Sequence, residues 1–541
     1  MWGVMSEMGS LSRRELLALI GSTAGPAVMT MAMSSLGLAG QSNYRAEPDL
    51  SGAPKGVRVL VLGAGLAGLI SAYELRRAGY EVEVLEYNSR VGGRNWTLRG
   101  GDIYTELGGE TQKVDFDEGL YFNPGPWRIP HHHYAILDYC RRFGVALEPF
   151  VQVNHNAFVH SSKALGGRPV RYREVAADFQ GYVAELLAKS LGQSKLDEAI
   201  DKEDKEILIE ALRNWGALDE ELRYSASFAA SMRRGFDKPL GGGIDPFPIV
   251  SKPLSLEDIL RPGLWQCLLP GSLQLFQTTL LQPVGGMDQI SKAIYRELGD
   301  IVRFDAKVVA IRQNEHGARV AYEDLRERGD IREVAADWVV CTIPLSILSQ
   351  IDFDASDALK AGVAAVPYGA AVKIGLQFKR RFWEEDDFIF GGVTTTDLPI
   401  HQIGYPNSEF LRRGKGVLLG AYVFGSPALE YTSVPAAERV RRAVALGARI
   451  HPQYPSEFEN GVAVAWHRAP FALGCAGLWS DAARAEHYRN VAEIDGRLVL
   501  AGEHVSLLPA WQEGAALSAL DAVTRLHKRI LEKSEHVAAK H

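Results

Sequence analysis

The stretch from Val57 to Arg94, VRVLVLGAGLAGLISAYELRRAGYEVEVLEYNSRVGGR, constrains this chain more than any other. Val57 to Leu62 is apolar apart from Arg58, as expected of a parallel strand buried on both faces. It leads into Gly63-Ala64-Gly65-Leu66-Ala67-Gly68. There the first glycine permits a tight turn, the second leaves room for a pyrophosphate, and the third lets a helix pack close to the strand. Leu66 to Ala78 reads as that helix, stopped by Gly79, with its N-terminus toward the phosphates. A second strand, Glu81 to Leu85, delivers Glu86, 18 residues beyond Gly68, where a carboxylate can accept hydrogen bonds from a ribose diol. Strand, glycines, helix, strand and acid in register predict a dinucleotide site.

A second glycine turn follows at once, Arg90-Val91-Gly92-Gly93-Arg94, offering backbone donors and guanidinium charge to the same pyrophosphate. Nicotinamide enzymes do not generally carry this extension. The run LEYNSRVGGRNWTLRGGDIYTELGGE resembles the FAD-binding region of the flavin amine oxidases. The resemblance implies FAD as cofactor, with Arg94 among its contacts.

Composition narrows the alternatives. The chain has 541 residues, 46% hydrophobic and 23% charged, enough for two or three subdomains around ample cores. A net charge of −7, without a dense Lys/Arg stripe, argues against nucleic acid as partner. The four cysteines, Cys140, Cys267, Cys341 and Cys475, show neither CxxC spacing nor a disulfide framework. Ser12-Arg13-Arg14-Glu15-Leu16-Leu17 resembles a twin-arginine export motif, followed by a Gly- and Ala-rich run and an imperfect cleavage site at Leu38-Ala39-Gly40. The expectation is an exported, periplasmic or secreted protein without stable membrane insertion, and a cytoplasmic one if the segment is inactive. A homodimer is left open.

Further along, Asn123-Pro124-Gly125-Pro126-Trp127-Arg128-Ile129-Pro130 reads as a rigid loop, because three prolines oppose regular structure. His131-His132-His133 lacks partners at ligand spacing, so a helix entrance, not a metal site, is expected. Pro283-Val284-Gly285-Gly286-Met287-Asp288 opens a second cofactor segment, and Leu498 to His504 a third, with Trp511-Gln512-Glu513 at the head of the last helix.

The expected fold is α/β: a discontinuous Rossmann-like FAD-binding domain, a mixed-sheet substrate domain and a helical insertion. The expected boundaries are a signal or pro-segment 1–40, a linker 41–56, FAD-binding parts 57–130, 283–345 and 486–530, a helical domain 131–240, substrate parts 241–282 and 346–485, and a tail 531–541.

Within the superfamily, the Gly125–Pro130 loop is similar to the L-amino-acid oxidase loop whose arginine binds the substrate carboxylate. The resemblance implies substrate contacts from Arg128, Tyr422 and Trp511. It implies supporting catalytic roles for Lys373, which would hold a water near the flavin, and again for Trp511. Ala476 falls where amine oxidases place a second aromatic wall. Val308, Gly502, Glu503, Ala515 and Ala516 fall at cofactor positions. Cys475 falls where some relatives tether FAD, although noncovalent binding is expected. The implied reaction is oxidative deamination of an L-amino acid to a 2-oxo acid, with ammonia and hydrogen peroxide released and O2 consumed. The alternatives are an amine or polyamine oxidase, an amino-acid 2-monooxygenase, and a flavin-containing binding protein without turnover.

Overall fold

The computed structural model describes residues 41–192, 201–244, 247–327 and 329–538. The twin-arginine motif and its cleavage site lie outside these residues.

The glycine-turn unit sits in a five-stranded sheet whose spatial order is Val302–Arg303, Glu81–Leu85, Arg58–Leu62, Trp338–Cys341, Leu498–Leu500. Every pairing in it is parallel. Strands buried on both faces explain the apolar runs: Val59, Val61, Val340 and Val499 join one core with helices Leu66–Ala78, Gln289–Leu298 and Gln512–Ala538. Leu60, Leu62, Val339 and Leu500 join a second core on the opposite face, beneath the four-stranded sheet that contains Ala306–Gln313. Three chain segments separated by hundreds of residues thus build one sheet.

A seven-stranded mixed sheet forms the second body, in the order Val170–Arg171, Phe158–His160, Val393–Thr396, Gln402–Gly404, Gly416–Phe424, Ala371–Phe378, Phe458–Ala465. Its strand Ala371–Phe378 is buried at all eight positions and sets Lys373 opposite Tyr422.

The observed partition differs from the expected one in four places. Between residues 131 and 240 the chain is not helical throughout. Tyr134–Arg142 packs into the first dinucleotide-side core, Leu147–Phe150 joins a three-stranded sheet, and two further strands edge the mixed sheet. Helices Tyr172–Gly192, Lys202–Gly216 and Phe228–Arg234 supply the helical part. Residues 352–366 side with the dinucleotide body, since Asp352–Phe353 pairs with Ala306–Gln313 and Leu359, Val363 and Val366 enter its second core. The segment 41–56 is no free linker: Leu50 is buried in the first core, and Glu47 makes ion pairs with Arg77 and Arg142. Finally, the three-proline loop ends in a short strand, Ile129–Pro130, antiparallel to Leu280–Pro283. It lies at the edge of its sheet, the position where proline's missing N–H is tolerated.

Candidate active site

The two glycine turns face each other, Gly65 bridging to Gly92. A Cβ on Gly68 would stand 1.9 Å from the Gly63 carbonyl oxygen, so only glycine lets this helix meet the strand. A Cβ on Gly65 would meet nothing within 4 Å. Gly65 therefore borders open space, as a pyrophosphate-facing glycine should. Two cavities meet there, both lined by Gly65, Arg94, Thr342 and Trp466.

The first cavity, of about 640 Å³, runs past Glu86, Tyr87, Ala306, Val308 and Phe471. Glu86 is buried and accepts from Ala64 N at 2.6 Å and from Asn88 N at 2.8 Å, so the carboxylate expected to meet a ribose braces the glycine turn. Tyr87 and Phe471 stack with centroids 4.5 Å apart. Such a groove, with an acid, a glycine turn and an apolar end, fits an adenosine diphosphate moiety.

The second cavity, of about 220 Å³, is lined by Leu66, Ala67, Trp127, Arg128, Lys373, Tyr422, Phe424, Trp466, Cys475, Gly502, Glu503, Trp511 and Ala515, among others. Arg128 is its singular feature. It is buried, its Nε has no hydrogen-bond partner, and among the described residues no carboxylate pairs with it. Aromatic faces surround it: its guanidinium carbon lies 4.6 Å from the Phe276 ring centre, 5.4 Å from Trp127 and 5.6 Å from Trp511. Burial pushes its pKa down to about 10, so it remains a cation at neutral pH. A buried, charged, unpaired fork facing a cavity is unfavourable until an anion arrives.

Lys373 lies beside it, buried, with Nζ donating to the Gly125 carbonyl and standing 4.3 Å over the Tyr422 ring. Burial, then the Arg128 charge, hold its pKa well below the ordinary lysine value. A neutral amine can accept a hydrogen bond, which an ammonium cannot.

Cys475 and Ala476 behave oppositely. Cys475 lines the cavity, whereas Ala476 is fully buried and is not among the lining residues. Backbone bonds Cys475 N to Gly369 O and Gly369 N to Ala476 O, both 2.9 Å, fix this bent segment. Trp466, Trp511 and Cys475 line the cavity, whereas Ala476, expected to contact substrate, does not. Burial first pushes the Cys475 thiol up to about 11, so it is not a ready nucleophile.

The last helix, Gln512–Ala538, starts at the cavity wall. Ala515 lines the cavity, while Ala516 is buried in the first core. Arg94 donates to the Glu503 carboxylate at 2.7 Å, and that carboxylate also accepts from Gly477 N at 3.2 Å and Ala510 N at 3.0 Å. Burial, the largest single influence, raises the Glu503 pKa, but the charges of Arg94 and His504 and the hydrogen bonds from Ala510 N and Arg94 together outweigh it, so the net shift is downward and the group stays ionised. Arg94 therefore brings little free charge to a pyrophosphate; it ties the second glycine turn to the third cofactor segment. Thr342, Gln402, Asn95 and Gln512 also line the cavity, and none of them was among the expected site residues, although Asn95 and Gln512 lie within the quoted motifs. The three histidines hold no metal-binding cluster with other ligand types among the described residues. Instead His133 sets its ring edge-on to Trp511, centroids 5.0 Å apart.

A split body on a parallel sheet, a glycine-lined diphosphate groove and an adjoining cavity define a dinucleotide-dependent enzyme. The chain belongs to the family described as flavin containing amine oxidoreductase, which matches residues 66–527. It is 27% identical over 478 residues to an L-amino-acid oxidase of Siganus canaliculatus, covering 87% of this chain and 86% of that protein. It is 28% identical over 497 residues to an L-amino-acid oxidase of Echis ocellatus, covering 86% and 88% respectively. Wild-type putrescine oxidase bound to putrescine shares the fold, with a TM-score of 0.57 at 19% identity over 88% of this chain and 99% of that one.

Proposed function

We propose that this chain is an FAD-dependent oxidase of L-amino acids, releasing a 2-oxo acid, ammonia and hydrogen peroxide. The observation that carries the reading is Arg128, a buried cation without a counter-ion among the described residues, which lines the cavity next to the glycine turns. An amine substrate gives that fork nothing to bind, whereas an α-carboxylate satisfies it with two parallel hydrogen bonds.

FAD would lie with its ribose at Glu86, its diphosphate between the two glycine turns and its adenine by Val308. When bound, it supplies the acceptor for the Cα hydride and the route of the electrons to O2. The chain's own residues supply orientation. Arg128 holds the carboxylate, and Tyr422 adds a phenol on the same wall. Trp466 and Trp511 confine the substrate and exclude water. The substrate amine must be neutral for its lone pair to become the imine bond. Lys373, whose ammonium is disfavoured by burial and by the Arg128 charge, can hold a water at the cavity, both as proton acceptor and later for imine hydrolysis. The positive end of helix Gln512–Ala538 suits negative charge collecting on the cofactor.

FAD is bound noncovalently in this reading, since the Cys475 thiol is held protonated. Export follows the twin-arginine motif, and replacing Arg13 and Arg14 by Lys should leave the enzyme in the cytoplasm of a host with that pathway. The activity is tested by anaerobic bleaching of the flavin, and by peroxide and ammonia release, across the L-amino acids with D-isomers and amines as controls. Bleaching by amines alone contradicts the proposal. Oxygen uptake without matching peroxide and ammonia points to a 2-monooxygenase.

A further inference from the structure

Glu513 occupies an unusual place. It stands in the first turn of helix Gln512–Ala538, two residues after Trp511, yet its carboxylate serves another helix. It is fully buried and accepts from Ala135 N and Ile136 N, both at 2.9 Å, at the start of helix Tyr134–Arg142. That helix has no side-chain cap of its own, so Glu513 supplies it from 378 residues away. Ser42, in the segment that precedes the first strand, donates its hydroxyl to the same carboxylate and its N–H to His132 O.

These bonds join the two elements that must be in register for substrate binding. Upstream of the capped helix, His133 N bonds Pro130 O at 3.0 Å, and Arg128 lies two residues before Pro130. Downstream of Trp511 is Glu513 itself, and upstream Ala510 N bonds Glu503, which bonds Arg94 of the cofactor turn. A continuous chain of short contacts thus links the cofactor groove to Arg128.

We propose that Glu513, locked by Ser42, is a positioning residue that sets the Arg128 fork against the cofactor, so that it acts on carboxylate binding without touching substrate. This rests on the reading of Arg128 as the carboxylate-binding residue. Burial raises the Glu513 pKa, and the bonds from Ser42, Ile136 N and Ala135 N oppose it; an amide replaces this double acceptor poorly, because one of the two carboxamide positions is a donor.

The test uses the full-length holoenzyme with Glu513→Gln, Glu513→Asp, Ser42→Ala and Arg128→Lys, the most active L-amino acid from the peroxide screen, and the amine its decarboxylation would give. Glu513→Gln should raise KM for the amino acid about tenfold with kcat within about threefold, and leave the amine's constants nearly unchanged. Ser42→Ala should move KM the same way by a few-fold, and Glu513→Asp should recover part of the loss. Amino acid and amine shifting alike, or an unchanged KM in flavin-loaded Glu513→Gln, overturns the proposal. If Glu513→Gln does not fold, an unchanged KM in Ser42→Ala overturns it. The separate case, in which Arg128→Lys leaves the amino-acid-over-amine preference intact, removes the Arg128 reading itself.

Discussion

At the scale of single residues, the site is built from groups the fold holds at a cost. Lys373 is the clearest. Burial and the Arg128 charge disfavour its ammonium, so the folded protein holds this proton less tightly than the unfolded chain does. That penalty is present below the ordinary lysine value of 10.5 and disappears above it. Lys373→Met, a substitution of similar length, should therefore unfold at a higher temperature than wild type at pH 7, with the gap closing as pH approaches 10.5. The hydrogen bond lost to Gly125 O offsets only about 1 kcal/mol of the gain. Turnover should fall at the same time. A lower unfolding temperature at pH 7 would mean that the amine is charged and paired. Glu86→Ala should weaken flavin retention by about 1.5–3 kcal/mol, read as a 10- to 100-fold rise in the FAD dissociation constant. Retention equal to wild type would place the ribose elsewhere. Because Glu86 also braces Ala64 N, part of that loss will come through the turn, and Glu86→Gln, which keeps one acceptor, should be milder.

At the scale of elements, the glycine turn separates packing from binding. Gly68→Ala puts a methyl group against backbone that cannot yield, so apoprotein stability and flavin binding should fall together. Gly65 has φ −70° and borders open space, so Gly65→Ala should leave the apoprotein's melting temperature within about 1 °C and still weaken FAD binding. Equal melting losses in both would contradict this division. These positions were legible because local spacing determines them: strand, turn, helix and acid lie within 30 residues. Arg128, Lys373 and Tyr422 were legible only by resemblance, since nothing local distinguishes a cavity arginine from a surface one. Ala476 does not line the cavity, because which side of this bent segment meets it depends on backbone bonds to Gly369, more than a hundred residues earlier. The N-terminal segment read as a linker by its prolines and polarity, although Ser42 and Glu47 find partners hundreds of residues away or on helices a short sequence window does not connect. Glu513 was invisible for the same reason.

At the scale of the whole molecule, two bodies meet over a shared opening. The parallel sheet presents its glycine turns, the mixed sheet presents Lys373 and Tyr422, and the loop between them carries Arg128. The purified protein should be yellow, and acid precipitation should release the flavin to the supernatant; colour kept in the pellet would implicate Cys475 in a covalent bond. The central claim is that this arrangement selects amino acids over amines through one guanidinium. Removing one partner of a buried charged pair costs on the order of 2–5 kcal/mol, or about 30- to several-thousand-fold in kcat/KM. The most direct measurement is kcat/KM for the preferred L-amino acid and for its decarboxylated amine, in wild type and in Arg128→Ala. The amino acid should lose that full factor while the amine, poor from the start, stays nearly constant. If both fall together Arg128 only supports the structure, and if wild type prefers the amine, the assignment of the substrate is wrong.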